Sequence, residues 1–434
     1  MLPPIHLSTR SHQTADQPIS YFMQQAVENP RLISLAAGLV DAESLPAADV
    51  QAALADILSS PAHARAALQY GTTHGLAPLR EQLLLRTVGL DGLTPAALSL
   101  SADDVVITTG SQQLLYLMGE LLLDPGDIGI AEAPSYFVYQ GTLTSLGARV
   151  LSVPMDEEGM DIDALASLLA RLERTGEVKR LRMLYICDYF QNPTGRTLSV
   201  RRRRQLLDLV KNYSRTQRIL ILEDAAYREL RYDGPDLPSL KSLDADNSTV
   251  ILGMTFSKPL APGLKTGYAI LPRDLMTPLL RLKGCHDFGS NNLTQHLIQR
   301  LLADGSYDRH VAELCQVYRA KRDAMLEALS EEFDASEVKW THPDGGMYVW
   351  LAFAGGVNTG PDSTLMRAAL HEGVLYVPGQ FCHVNGANGP VPTHEARLCF
   401  GVASVPEIRE AIQRLGRAYR SSQAGSRKLP VLTS

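Results

Sequence analysis

Short apolar runs of strand length alternate with amphipathic stretches through the middle of this 434-residue chain, and few folds satisfy that pattern. Asp104-Val-Val-Ile-Thr-Thr-Gly110 reads as a buried strand ending in a glycine turn. Gln112 to Leu123 then reads as a helix packed by Leu114, Leu115, Leu117, Met118, Leu121 and Leu122. Further strands are predicted at Ile128–Ala131, Arg149–Val153, Arg182–Cys187, Ile219–Leu222, Thr249–Leu252 and Gly267–Leu271, with helices such as Ile162–Arg174 and Val200–Tyr213 between them. Apolar strands separated by helices indicate an α/β fold, a mostly parallel central sheet covered on both faces. Ligands of such sheets bind beyond the carboxyl ends of the strands. Gly110-Ser-Gln-Gln113, Asp188–Gly195, Asp224–Tyr227 and Ser257-Lys258 all fall there.

From about Tyr307 the pattern changes. A long amphipathic helix, Tyr307–Glu332, is followed by strands at Lys339–Thr341, Gly346–Leu351 and Arg397–Phe400 and a helix at Ser363–His371. This describes a smaller α+β domain. The expected division is an N-terminal segment 1–48 packing on the small domain, a large domain 49–300, a small domain 301–420, and a loose Ser-, Gly- and Lys/Arg-rich tail 421–434.

A net charge of −6 and a pI near 6.0 argue against nucleic acid or an anionic membrane as partner. Five cysteines with no Cys-x-x-Cys pair indicate neither a disulfide framework nor a metal site, and fit a reducing compartment. No apolar run approaches the roughly 18 residues of a membrane span, and the first residues lack signal-peptide character. A cytoplasmic protein is expected.

Lys258 is the candidate nucleophile. It follows Thr255 and Ser257, whose hydroxyls can donate to an anion, and it precedes a Pro-Leu-Ala-Pro-Gly run that breaks regular structure. An amine forms a Schiff base only when it can lose its proton, so the site should be desolvated or lie beside another cation, such as Lys265. Gly110, Ser111 and Gln112 offer backbone N–H groups at a strand-to-helix junction, suited to phosphate; taken alone, Ser111 reads more simply as an N-cap. Asp224 is a carboxylate carried inward by an apolar strand, and reads equally as a cap or ion-pair partner. Asn192 lies in an Asn-Pro-Thr-Gly turn. Tyr136 is either a stacking face for a planar ring or a core aromatic, and Arg397 is costly to bury unless it meets an anion or sits at an exposed edge.

Together these segments resemble the fold-type-I pyridoxal-phosphate enzymes, specifically the class I/II aminotransferases that include 2-aminoadipate and kynurenine aminotransferases and the aminotransferase domains of MocR-type regulators. The resemblance runs from about Leu32 to Ser404. It rests on Ile33–Gly38, Leu68–Gly71 with Pro78–Glu81, Thr109–Gln113, Glu132–Tyr136, Gln191–Gly195, Glu223–Tyr227, Phe256–Lys258 with Ala261–Gly263, Gly345–Tyr348 and Arg397–Phe400. It implies an aminotransferase moving an amino group from an α-amino acid to a 2-oxo acid by ping-pong chemistry, with pyridoxal 5'-phosphate held as a Schiff base on Lys258. It further implies Asp224 at the ring nitrogen, Asn192 and Tyr227 at the ring's phenolic oxygen, and Tyr136 on the ring face. Gly110, Ser111, Gln112, Thr255, Ser257 and Lys265 would surround the phosphate. Tyr70 would reach the site of the neighbouring subunit of a homodimer, and Arg397, with Gly38 and Asn192, would take the substrate carboxylate.

One position departs from the family pattern. Lys265 stands where the family usually carries an arginine, so the charge is kept and the bidentate geometry lost. A lyase, decarboxylase or oxidase on the same fold is the alternative, and a non-catalytic regulatory module a more distant one. The stretch Ile19–Gln25 has no basic residue, which points to neutral, aromatic or aliphatic substrates meeting Tyr21, Phe22 and Met23.

Overall fold

The computed structural model describes residues 5–14, 25, 28, 29, 31–384 and 389–426. Tyr21, Phe22 and Met23 lie outside the described residues.

The alternation of apolar runs and helices builds one large sheet. Its strands are β2 (Val105–Thr108), β3 (Ile128–Ala133), β4 (Arg149–Asp156), β5 (Gly159–Met160), β6 (Leu181–Ile186), β7 (Leu220–Asp224), β8 (Val250–Thr255) and β9 (Gly267–Ile270). They are ordered β2-β9-β8-β7-β6-β3-β4-β5. Neighbours from β8 through β4 are parallel, whereas β9 runs antiparallel to both β2 and β8. Strands β2, β7 and β8 are buried along their whole length, as a sheet covered on both faces requires. The helices Ile162–Arg174 and Val200–Tyr213 begin where Asp161 and Ser199 accept first-turn N–H bonds. They bury Leu165, Leu169 and Leu172, and Leu206, Leu207 and Val210.

A second sheet, ordered β10-β11-β14-β13, comprises β10 (Val338–Trp340), β11 (Tyr348–Phe353), β13 (Val377–Pro378) and β14 (Glu395–Cys399), all antiparallel. The N-terminal strand β1 (Ile33–Ser34) pairs in parallel with β12 (Val374–Leu375), and Leu35 accepts from the Cys399 N–H at 2.7 Å. The segment after β1 is thereby tied to β12 and to β14 of the second sheet.

One expectation is corrected. The final helix, Val405–Ser426, runs on past residue 421 into the stretch expected to be loose. Its contacts with the helices Ser306–Glu332 and Thr364–Glu372, and the buried Ala418 and Ser422, hold it where Ser- and Gly-rich composition alone would let it fray. Residues 427–434 lie outside the described residues. Among the described residues no helix is long and apolar enough to cross a membrane.

Candidate active site

Strand β2 delivers the chain to a helix, Gly110–Leu122, anchored by Leu114, Leu115, Leu117 and Met118. Its N-cap is Thr109 and not Ser111, which lies in the first turn. The Thr109 hydroxyl does not cap the helix; it bonds Asp287 Oδ2 at 3.1 Å and Ser290 Oγ at 3.2 Å. Asp287 is in turn held by Lys283 Nζ and Gln113 Nε2, both at 2.8 Å. The diverted cap leaves first-turn N–H groups of the helix for an anion. Gly267, paired with Thr108 on one side and Thr255 on the other, admits this approach: a Cβ there would lie 2.8 Å from the Ser111 nitrogen. Thr255 and Ser257 add hydroxyls 3.1 Å apart, and the exposed Lys265 lines the same cavity.

Lys258 follows β8 and turns back, its Nζ donating to the Gly38 carbonyl at 2.7 Å. Burial pulls its amine down to about 8, and the nearby Arg397 charge acts in the same direction against Cys399 and Asp224. Asp224 ends β7 and is buried; burial raises its carboxyl to about 6, opposed by hydrogen bonds from the Tyr185 hydroxyl and the Ala226 N–H. Tyr185 Oη donates to Oδ2 at 2.9 Å, while Oδ1 is buried without a hydrogen-bond partner among the described residues.

Arg397, on β14, is 2% exposed and lies over the rings of Tyr348 (4.5 Å) and Phe137 (5.7 Å). It donates to Asn192 Oδ1 at 2.8 Å and to the Ala36 carbonyl at 2.7 Å, and its Nε is buried with no partner among the described residues. The hydroxyls of Tyr227 and Tyr348 are 3.1 Å apart. Gly38 has no room for a side chain, since a Cβ would sit 2.5 Å from the Tyr348 hydroxyl.

One cavity of about 300 Å³ gathers Gly38, Gly110, Ser111, Gln112, Tyr136, Asn192, Asp224, Tyr227, Thr255, Ser257, Lys258, Lys265 and Arg397. Tyr70 is absent from its lining. It is 84% exposed and packs edge-on against Phe288 at 5.8 Å. Tyr185, Cys187 and Tyr348 also line the cavity and were given no role from the sequence. Tyr348 closes the Gly345–Tyr348 motif, a signal that was available; Tyr185 and Cys187 read as ordinary residues of a buried strand. A larger cleft of about 680 Å³ near Arg196, Trp340 and Trp350 holds none of the candidate catalytic side chains.

The family model described as aminotransferase class I and II matches residues 30–415. The chain belongs to this family. It is 36% identical over 396 residues to aromatic-amino-acid aminotransferase 1 of Thermococcus litoralis, covering 91% of this chain and 89% of that one. It is likewise 36% identical to the 2-aminoadipate transaminase of Thermus thermophilus, covering 91% of each. The crystal structure of Pyrococcus horikoshii kynurenine aminotransferase, solved with PMP, KYN as substrate and KYA as product, superposes with a TM-score of 0.86 at 32% identity over 96% of this chain and 97% of that one. The protein is an aminotransferase of PLP fold type I, and its cofactor is pyridoxal 5'-phosphate.

This aminotransferase's cavity fits that cofactor. The unpartnered Asp224 Oδ1 is a buried acceptor suited to a ring N–H, and the uncapped helix start with two hydroxyls and Lys265 suits a phosphate.

Proposed function

We propose that Lys258 holds the cofactor covalently and moves the proton at the substrate Cα, that Asp224 faces the ring nitrogen, and that Arg397 receives the α-carboxylate of an amino acid. One observation carries this reading. A lysine lowered to about 8 and an aspartate raised to about 6 share one cavity, and the aspartate keeps a free oxygen. When bound, the cofactor accepts the electron pair left at Cα and carries the amino group between substrates. Gly110, Ser111, Gln112, Thr255, Ser257 and Lys265 hold its phosphate, Tyr136 covers a ring face, and Asn192 and Tyr227 hydrogen-bond its phenolic oxygen. Lys265 brings a point charge without the two-pronged fork of an arginine.

The substrates are an α-amino acid and a 2-oxo acid, with neutral aromatic or aliphatic side chains favoured. Leu39, Phe137 and Val138 supply apolar lining, and the cavity's cations Lys258, Lys265 and Arg397 are already assigned. The protein works as a cytoplasmic homodimer. Tyr70 and Phe288, 84% and 60% exposed and stacked outside the cavity, support a surface covered by a second copy, through which Tyr70 completes the neighbouring phosphate site. Five free cysteines suit a reducing compartment. A large unit 49–300 and a small unit 301–420, with the first 48 residues on the latter, accord with the two sheets and the β1–β12 pairing.

The test is a half-reaction. An amino acid alone, added to the holoenzyme, is expected to convert bound cofactor stoichiometrically to its aminated form, with neutral donors fastest in a panel. Continuous oxo-acid release without aminated cofactor would indicate elimination. Rates with glutamate or aminoadipate far above every neutral donor would overturn the side-chain assignment.

A pH dependence arises from the same lysine. With its amine near 8, the neutral fraction of Lys258 grows about tenfold between pH 7 and pH 9. The initial rate at which apoenzyme captures pyridoxal phosphate covalently is expected to rise by the same factor. Stopped-flow absorbance checks it, and a flat profile would show that the amine is not the titrating group.

A further inference from the structure

We propose that Tyr185 is a positioning residue for Asp224: its hydroxyl fixes which carboxylate oxygen faces the cofactor and supplies the other with a hydrogen bond. The inference rests on the reading of Asp224 above and extends it to a side chain that does not itself touch the reacting atoms.

The placement follows from sheet register. Tyr185 on β6 pairs in parallel with Leu222 on β7, and Asp224 lies two residues beyond Leu222, on the same face of the sheet. A tyrosine is long enough to span that diagonal, and its Oη meets Asp224 Oδ2 at 2.9 Å. The ring cannot easily swing away. Tyr185 is 1% exposed and packs against Tyr139, with centroids 4.5 Å apart and planes tilted by 55°. Tyr139 is itself fully buried, and its hydroxyl contacts Met183 Sδ at 3.7 Å.

The hydrogen bond divides the carboxylate's work. With Oδ2 engaged, the rotation of the Asp224 side chain is set, and Oδ1 is left as a buried acceptor without a partner among the described residues, on a residue that lines the cavity. The surroundings make such a donor necessary. Burial and Asp188, just past β6, both push Asp224 toward its neutral form. Glu132 on β3 faces it as well, raised to about 8 by its own burial, so it stands mostly protonated and adds little charge at neutral pH. Tyr136, Tyr139 and Cys187 face the carboxylate as neutral groups, their ionised forms disfavoured by burial. The opposing groups are Tyr185, the Ala226 N–H and, last among them, the charge of Lys258. Tyr185 is the side chain that hydrogen-bonds the carboxylate directly, and it is the largest of these opposing influences. A core aromatic that merely filled space would leave Asp224 free to rotate and would need no hydroxyl.

Tyr185→Phe removes the hydroxyl and keeps the ring, so a double-mutant cycle with Asp224→Asn isolates the contact. The quantity read is the dissociation constant of pyridoxal phosphate from titration of each apoenzyme, with apoenzyme melting temperature beside it. Loss of a hydrogen bond to a charged acceptor is expected to weaken cofactor affinity about tenfold in Tyr185→Phe. The same substitution should cost less than about threefold in the Asp224→Asn background, where the acceptor is neutral. Melting temperature should hold within about 2 °C. The inference is overturned by affinity unchanged by Tyr185→Phe, by an equal loss in both backgrounds, or by a loss tracking a lowered melting temperature. If Asp224→Asn alone leaves affinity untouched, the reading of Asp224 falls and takes the inference with it. If Asp224→Asn weakens binding while Tyr185→Phe is silent, only the inference falls.

Discussion

Lys258→Ala is expected to leave a folded protein that binds pyridoxal phosphate without a covalent bond and turns over amino acids at least about 10⁴-fold more slowly. Two losses combine in this variant. On the proposed reading, the amine that would anchor the cofactor is gone, and so is the base that would move the proton at Cα. Both depend on one side chain that leaves β8 through the Ser257-Lys258-Pro259 turn and is aimed by the Gly38 carbonyl 2.7 Å from its Nζ. Alanine fits the backbone there without strain, because the turn is fixed by the Pro259 to Gly263 segment and by Leu260 and Ala261 N–H groups bonded to the Phe256 carbonyl. The check is borohydride reduction of the holoenzyme followed by peptide mass spectrometry. Wild-type protein should carry the cofactor mass on the peptide containing Lys258, and the variant none. A variant with normal turnover, or a label on another lysine, would refute the assignment.

The sequence makes some parts of this molecule legible because the causes are local. The helices Ile162–Arg174 and Val200–Tyr213 are read to the residue because each has an apolar stripe and a capping side chain within one turn. Gly110 to Gln112 and Thr255 to Lys258 are each short contiguous stretches placed at strand ends by the apolar runs before them. Contacts closed by the tertiary fold are another matter. That Thr109 and not Ser111 is the N-cap, and that its hydroxyl is drawn off by Asp287, depends on a helix 178 residues away in sequence. Arg397 meets Asn192 across 205 residues and Ala36 across 361, so only the family resemblance, and no spacing, could bring them together. Tyr185 is not legible in the sequence for a further reason: a tyrosine inside a buried strand has the signature of core packing, and its hydroxyl becomes informative only once β6 and β7 are in register. Residues 421–426 are helical against expectation because composition reports intrinsic propensity, whereas the docking of one helix face decides how far a helix runs.

Arg397 supports the second large prediction. Its guanidinium is spent in part on the fold, bonding Asn192 and Ala36, while its Nε has no partner among the described residues and the residue lines the cavity. Removing one partner of a desolvated charge pair costs about 3–5 kcal/mol, so Arg397→Ala should lower kcat/KM for α-amino acids about 10³-fold. Arg397→Lys should recover little, because an ammonium cannot present parallel donors to a carboxylate. Both half-reactions must suffer alike, since the amino acid and the oxo acid carry the same carboxylate. Cofactor affinity should move by less than about threefold, because the proposed phosphate and ring-nitrogen contacts come from other elements. An amine substrate without a carboxylate separates recognition from general damage. Its slow reaction should be equally slow in wild type and variant if Arg397 serves the carboxylate, and further slowed in the variant if the arginine mainly supports Asn192 and the chain at Ala36.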